Sequence, residues 1–101
     1  MMMERWGLKA AHAHGTSNEK GLARSAICAC FHCLETYPPS AVIEWIEDSD
    51  GRTAICPRCG IDSVLGDASG FPVTDAAFLS AMNERWFGAA VSTDALQNPE
   101  N

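Results

Sequence analysis

Two Cys-x-x-Cys pairs are the residues of this sequence with the clearest chemistry. They are Cys30-Phe31-His32-Cys33 and Cys56-Pro57-Arg58-Cys59, and twenty-two residues separate them. Each pair places two sulfurs on one tight turn, and two such turns supply the four ligands of a tetrahedral ion, which suits zinc. The predicted metal ligands are Cys30, Cys33, Cys56 and Cys59.

The two turns differ in the residue that follows them. Pro57 stiffens the second turn, and Gly60 after it can take a positive φ while backbone N–H groups turn toward the sulfurs. Leu34 stands where the first turn would have that glycine, so the first turn is less typical. Four thiolates saturate zinc and leave no position for water or substrate, which indicates a structural site and argues against an enzyme.

The length of the chain makes a metal valuable for folding. With 101 residues the chain forms one domain at most, and most large apolar side chains lie between Ile27 and Phe87. We therefore expect a folded domain over residues 25–88, a flexible N-terminal arm over 1–24 and a flexible tail over 89–101. A body of about sixty residues is marginal without a staple, and structural zinc supplies roughly 10–16 kcal/mol of apparent binding energy.

Charge and cysteine content limit the compartment and the partners. The formal net charge is −6, and residues 25–88 hold nine acidic side chains against three basic ones. Such a surface repels phosphate backbones, which makes nucleic acid an unfavourable partner. The odd number of cysteines, five, the absence of an apolar signal sequence in residues 1–11 and the lack of a membrane-length apolar run predict reduced thiols and a cytoplasmic location.

The remaining patterns predict a small α+β fold. Ser17 or Asn18 caps a short helix through Arg24, and Ala26 to Cys28 is a brief strand that leads into the first turn. Ser40 caps a second helix over Ala41–Glu47, because Val42, Trp45 and Ile46 recur at helical spacing.

A hairpin with the metal at its tip is expected next. Thr53-Ala54-Ile55 delivers Cys56, and residues 61–65 pair back on it, while Asp50-Gly51 before them favours a reversal. Thr74 then caps a closing helix that Gly88 stops. The apolar stripe of that helix, which includes Phe78, Met82 and Trp86, is read as core, with a partner groove as the less favoured reading.

The run from Cys28 to Phe87 resembles a family of small bacterial cytoplasmic proteins. The resemblance is carried by the Cys-x-Cys-Phe-x-Cys run at residues 28–33, by Trp45 before an acidic turn, and by the block TAICPRCGIDSVLGDASGFPVTDAAFLSAMNERWF at 53–87. It implies a zinc-ribbon or rubredoxin-like metal knuckle with a closing helix, held by the four cysteines of the two pairs, and no established activity. Asn83 stands where a histidine is common in that family.

Four other residues carry possible chemistry. Cys28 is a small buried residue of the leading strand in the favoured reading, with a replacement ligand, a second metal or a redox partner as alternatives. His12 and His14 are read as solvated imidazoles before a transient metal site, and His32 as a residue that orients the turn.

The favoured function is a zinc-stabilised module that contacts another protein through its acidic face and apolar helix. The alternative is a rubredoxin-like electron carrier in which the same four cysteines hold iron. A thiol oxidoreductase is disfavoured because such enzymes use one pair at a helix N-terminus, and no catalytic constellation is identified. The sequence leaves the partner and the oligomeric state open.

Overall fold

A computed structural model describes residues 6–88 of the chain, with short helices and short strands. The helices are α1 (Leu8–Ala13), α2 (Glu19–Ala23) and α3 (Ala76–Asn83). The strands are β1 (Cys28–Cys30), β2 (Thr36–Tyr37), β3 (Glu44–Asp48), β4 (Gly51–Ile55) and β5 (Val64–Gly66). Single 3-10 turns lie at Pro39–Ala41 and Asp67–Ser69, and a π-helical turn, Glu84–Gly88, follows α3.

The strands form two separate antiparallel sheets. The first has the order β2-β1-β5, and the second contains β3 and β4 only. In the first sheet Cys30 pairs with Val64, so the first Cys-x-x-Cys turn leaves the sheet at the end of β1. The second turn leaves the end of β4. The predicted α+β class is confirmed, and the two sheets each present one turn.

The predicted helix over Ala41–Glu47 is wrong. The chain makes one 3-10 turn at Pro39–Ala41, and Val42 is already extended with ψ 119°. Residues 44–48 then pair residue by residue with 51–55. β-branched residues favour this extended backbone, and the reversal at Asp50-Gly51, which the sequence predicted, supplies the pairing partner.

The predicted hairpin between Thr53–Ile55 and residues 61–65 is also wrong. β4 pairs with β3, and β5 pairs with β1. The Cys56 N–H donates to the Ile61 carbonyl at 2.9 Å, and this bond closes the turn between the two predicted strands. Hydrogen bonds within residues 56–61 close the second turn, and β5, which follows it, pairs with β1 in the other sheet.

The segment before residue 25 packs against the domain. Leu8, Ala11 and Leu22 are buried members of its two apolar clusters. Asn18 precedes α2, as predicted, but its side chain does not cap the helix. Its amide donates to the Val64 carbonyl at 2.8 Å, and its oxygen accepts from the Ala54 N–H at 3.0 Å. Asn18 therefore joins the two sheets, while the flexibility expected of residues 1–24 stays a prediction.

The closing helix begins one residue later than expected. Asp75 is its N-cap, and one carboxylate oxygen accepts from the Ala77 and Phe78 N–H groups. Phe78 and Met82 are completely buried, which confirms the core reading for them, whereas Trp86 is half-buried in the turn after the helix. The predicted tail, 89–101, lies outside the described residues. Within residues 6–88, no helix has the length and apolar character needed to span a membrane.

Candidate metal centre

The two Cys-x-x-Cys turns have the same backbone structure. In the first, the Cys30 N–H donates to the Glu35 carbonyl at 3.0 Å, and the Leu34 N–H donates to the Cys30 carbonyl at 2.8 Å. In the second, Cys56 and Gly60 repeat both bonds, each at 2.9 Å. We call these two turns the first and second knuckles.

A backbone N–H also points at the leading sulfur of each knuckle. The His32 N–H lies 3.3 Å from Cys30 Sγ, and the Arg58 N–H lies 3.3 Å from Cys56 Sγ. Such donors favour the thiolate form of the sulfur, which is the form that binds metal. His32 thus contributes through its backbone; its side chain is exposed and packs edge-on to Phe87.

The first knuckle reaches this structure without glycine. Gly60 has φ 80°, and Leu34 at the equivalent position has φ 68°. A side chain at positive φ costs roughly 1–2 kcal/mol, because Cβ approaches the carbonyl oxygen. The first knuckle therefore stores backbone strain that the second avoids, and metal coordination is an interaction able to offset it.

The four sulfurs converge. All four Sγ atoms of Cys30, Cys33, Cys56 and Cys59 lie within 4.8 Å of one another. Two close distances run between the knuckles, with 3.6 Å from Cys30 to Cys59 and 3.7 Å from Cys33 to Cys56. An ion with four sulfurs at about 2.3 Å in a tetrahedron separates them by about 3.8 Å, so the cluster fits zinc or iron.

Burial divides the cluster into two halves. Cys30 and Cys56, the leading residues of the knuckles, are buried, whereas Cys33 and Cys59 are half-buried. Burial raises the pKa of Cys33 to about 11 and holds the pKa of Cys59 above its usual range. The Cys33 and Cys59 thiols therefore keep their protons at neutral pH unless a metal cation displaces those protons.

Cys56 shows the opposite shift. Burial alone would raise its pKa, but the nearby Tyr37 hydroxyl and the Arg58 and Cys59 N–H groups lower it to about 7. The Tyr37 hydroxyl makes no hydrogen bond of regular geometry within residues 6–88, and its residue packs in the same buried cluster as Cys56. A buried hydroxyl left without a regular partner beside a cysteine fits a site in which that sulfur is a thiolate.

Two polar side chains support the first knuckle in ways the sequence did not reveal. Ser63 is buried, and its Oγ lies 3.1 Å from Cys30 Sγ. The Asn83 amide donates to the Phe31 carbonyl at 3.1 Å and to the His32 carbonyl at 3.0 Å. Asn83 thus ties the closing helix to the first knuckle. Neither contact has a signal in the sequence, because both join residues far apart in the chain.

The fifth cysteine stands outside the cluster. Cys28 is completely buried in β1, and its thiol donates to the Tyr37 carbonyl at 3.3 Å. Burial raises its pKa to about 12, so it is a protonated thiol at neutral pH. This environment confirms the reading of Cys28 as a small packed residue.

The histidines also lie outside the cluster. The cluster of four cysteines is the one metal-ligating group found within the described part of the chain. His12 is exposed and packs at a tilt against Trp86 with ring centroids 3.9 Å apart, and His14 is exposed near Phe71. The imidazoles therefore pack against aromatic rings at the surface.

The fold and the site define a small α+β protein with a cluster of four cysteines, of the kind that builds a zinc-ribbon-like core. Comparison with family models, with curated proteins and with solved structures finds no match to this chain. The resemblance to small bacterial proteins therefore stays a prediction carried by the sequence motifs.

Proposed function

We propose that this protein binds one zinc ion through Cys30, Cys33, Cys56 and Cys59, and that the ion is structural. The observation that carries the proposal is the convergence of four Sγ atoms within 4.8 Å, supplied by two knuckles of matching geometry. When bound, zinc joins the two sheets, because one knuckle extends from β1 and the other from β4. Four thiolates complete its coordination, which favours a stabilising role over catalysis.

We propose further that the zinc-bound protein is a cytoplasmic module that contacts another protein. The expected contact through the apolar helix face is not supported, since Phe78 and Met82 are buried. The β3–β4 hairpin offers a better surface. Asn18 accepts a hydrogen bond from Ala54 on the outer edge of β4, whereas β3 pairs, within residues 6–88, with β4 alone. Edge strands with unpaired backbone groups can accept an added strand.

The chemistry of that edge defines the partner. Ile43 and Ile46 are 80% and 47% exposed, and four acidic residues lie near them in the sequence. These are Glu44, Glu47, Asp48 and Asp50. An extended segment that carries basic side chains complements this strand in charge.

Metal analysis of protein purified from native cells tests the zinc assignment. One zinc per chain in a colourless protein supports it. A red, redox-active protein with one iron would establish the rubredoxin-like alternative, which the two matching knuckles and the acidic surface also fit. Protein that folds and binds neither metal would contradict both.

A peptide titration tests the proposed contact. The probe is a synthetic peptide of alternating lysine and valine, and the matched control alternates glutamate and valine. The lysine peptide is expected to shift the amide NMR signals of Trp45 and Glu47 on the outer edge of β3, and Ile46→Lys is expected to abolish the shift. Equal shifts with both peptides, or none with either, would refute the hairpin as the partner surface.

A further inference from the structure

Each of the two buried sulfurs of the cluster has a buried hydroxyl nearby. This arrangement leads to an inference about the metal site. Ser63 Oγ lies 3.1 Å from Cys30 Sγ. The Tyr37 hydroxyl is buried in the same cluster of side chains as Cys56 and has no regular hydrogen-bond partner within residues 6–88. Cys33 and Cys59, which are half-buried, can receive hydrogen bonds from solvent. The hydroxyls therefore lie where water has the least access.

The backbone fixes Ser63 in this position. The Phe31 N–H donates to the Ser63 carbonyl at 3.0 Å, and the next residue, Val64, pairs with Cys30 across the sheet. Ser63 is 1% exposed, so its hydroxyl has little access to water. The serine side chain is therefore held against Cys30 Sγ by the same sheet that presents the first knuckle.

The charge of the site calls for such donors. Four thiolates around a divalent ion leave a net charge of −2, and half of the sulfurs are buried. Buried charge is unfavourable unless hydrogen-bond donors surround it. A thiolate accepts only, so in the metal-bound form the Ser63 hydroxyl must donate to Cys30 Sγ, although either atom can donate in the free thiol.

We propose that the Ser63 and Tyr37 hydroxyls are positioning groups that donate to Cys30 and Cys56 in the metal-bound site and strengthen metal binding. This inference rests on the proposed metal-binding function. Loss of a group that orients a metal ligand typically lowers metal affinity about 10- to 100-fold, and we expect that range for Ser63→Ala. Tyr37→Phe removes one oxygen atom and keeps the buried ring.

The test is a cobalt titration of the full chain, with zinc affinity measured by competition with a chelator. A thiolate that loses a hydrogen bond gives more electron density to the metal, so Ser63→Ala and Tyr37→Phe should shift the thiolate-to-cobalt charge-transfer band to longer wavelength. Ser40→Ala, an exposed serine, is the matched control and should keep the wild-type band and affinity. Ser63→Thr retains the hydroxyl and should keep the wild-type band.

The outcomes separate the inference from the proposed function. If the wild-type chain binds neither cobalt nor zinc, the proposed function fails. If the wild type binds and both Ser63→Ala and Tyr37→Phe retain its band and affinity, the hydroxyl inference alone is overturned. A loss of thermal stability without a band shift would assign these residues to packing and also overturn it. If Ser63→Ala does not fold, Tyr37→Phe decides by the same two measurements.

Discussion

Replacement of Asn18 by alanine tests whether the segment before residue 25 is part of the domain. The Asn18 side chain makes two hydrogen bonds, at 2.8 Å to the Val64 carbonyl and at 3.0 Å from the Ala54 N–H. Both partner residues are completely buried, and they belong to different sheets. Asn18→Ala therefore leaves one buried acceptor and one buried donor without partners.

The expected cost follows from these contacts. A buried polar group that loses its partner costs about 1–3 kcal/mol, so two such groups cost about 2–6 kcal/mol. Asn18 is 8% exposed, close enough to the surface for water to enter the vacated space, which places the expected loss near 3 kcal/mol. With an m value of roughly 1 kcal/mol/M for a small domain, the urea midpoint falls by about 3 M.

Equilibrium urea unfolding, followed by circular dichroism at one fixed free zinc concentration, measures this loss. Fixed zinc matters because a ligand of the native state adds to its apparent stability. Lys20→Ala is the control in the same segment: the lysine is exposed on α2, and its replacement should change stability by less than about 0.5 kcal/mol. A loss below about 1 kcal/mol for Asn18→Ala would refute the bridge between the sheets.

Three further predictions concern the metal site and its support. Cys59→Ser should abolish metal binding and soluble folding, because roughly 10–16 kcal/mol of binding energy couples into folding, whereas Cys28→Ser should keep one metal per chain by mass spectrometry. A well-folded, metal-free Cys59→Ser protein would contradict the structural role. Because burial raises the pKa of Cys33 to about 11 and that of Cys59 above its usual range, both thiols are protonated at neutral pH, and protons compete with the metal. Apparent zinc affinity should therefore fall at least about 100-fold for each pH unit below 7 in chelator competition, and a flat profile would contradict it. Asn83→Ala removes two hydrogen bonds to the first knuckle and should lower the free energy of unfolding by about 1–3 kcal/mol, measured by thermal unfolding. Ser80 is exposed on the same helix, and Ser80→Ala should lower it little. Equal losses for the two variants would refute the role of Asn83 in holding the helix to the knuckle.

The sequence predicted what depends on local spacing. The two Cys-x-x-Cys runs predicted two turns, and the structure brings their four sulfurs together. The closing helix was recognisable because Phe78 and Met82 recur on one face, and both are buried. These features need only a few neighbouring residues to specify them.

Features that depend on distant partners were missed. Trp45 and Ile46 fit a helical spacing, but pairing with β4 made their segment a strand. β5 pairs with β1 across more than thirty residues of sequence, and no local pattern distinguishes this from a hairpin with β4. The sequence predicted Asn18 as a candidate helix cap, whereas its side chain forms hydrogen bonds to both sheets. Tertiary contacts override local preference in each case.

Each knuckle is closed by hydrogen bonds within six consecutive residues, 30–35 and 56–61. The hydrogen bonds that close each knuckle therefore need no residue from elsewhere in the chain. An ion held first by two sulfurs would recruit the other two, and the cost of closing the twenty-two-residue connection between them would be met early in folding. We expect zinc to accelerate refolding in stopped-flow experiments as well as to slow unfolding; a refolding rate independent of zinc would show that the ion arrives after the sheets have met.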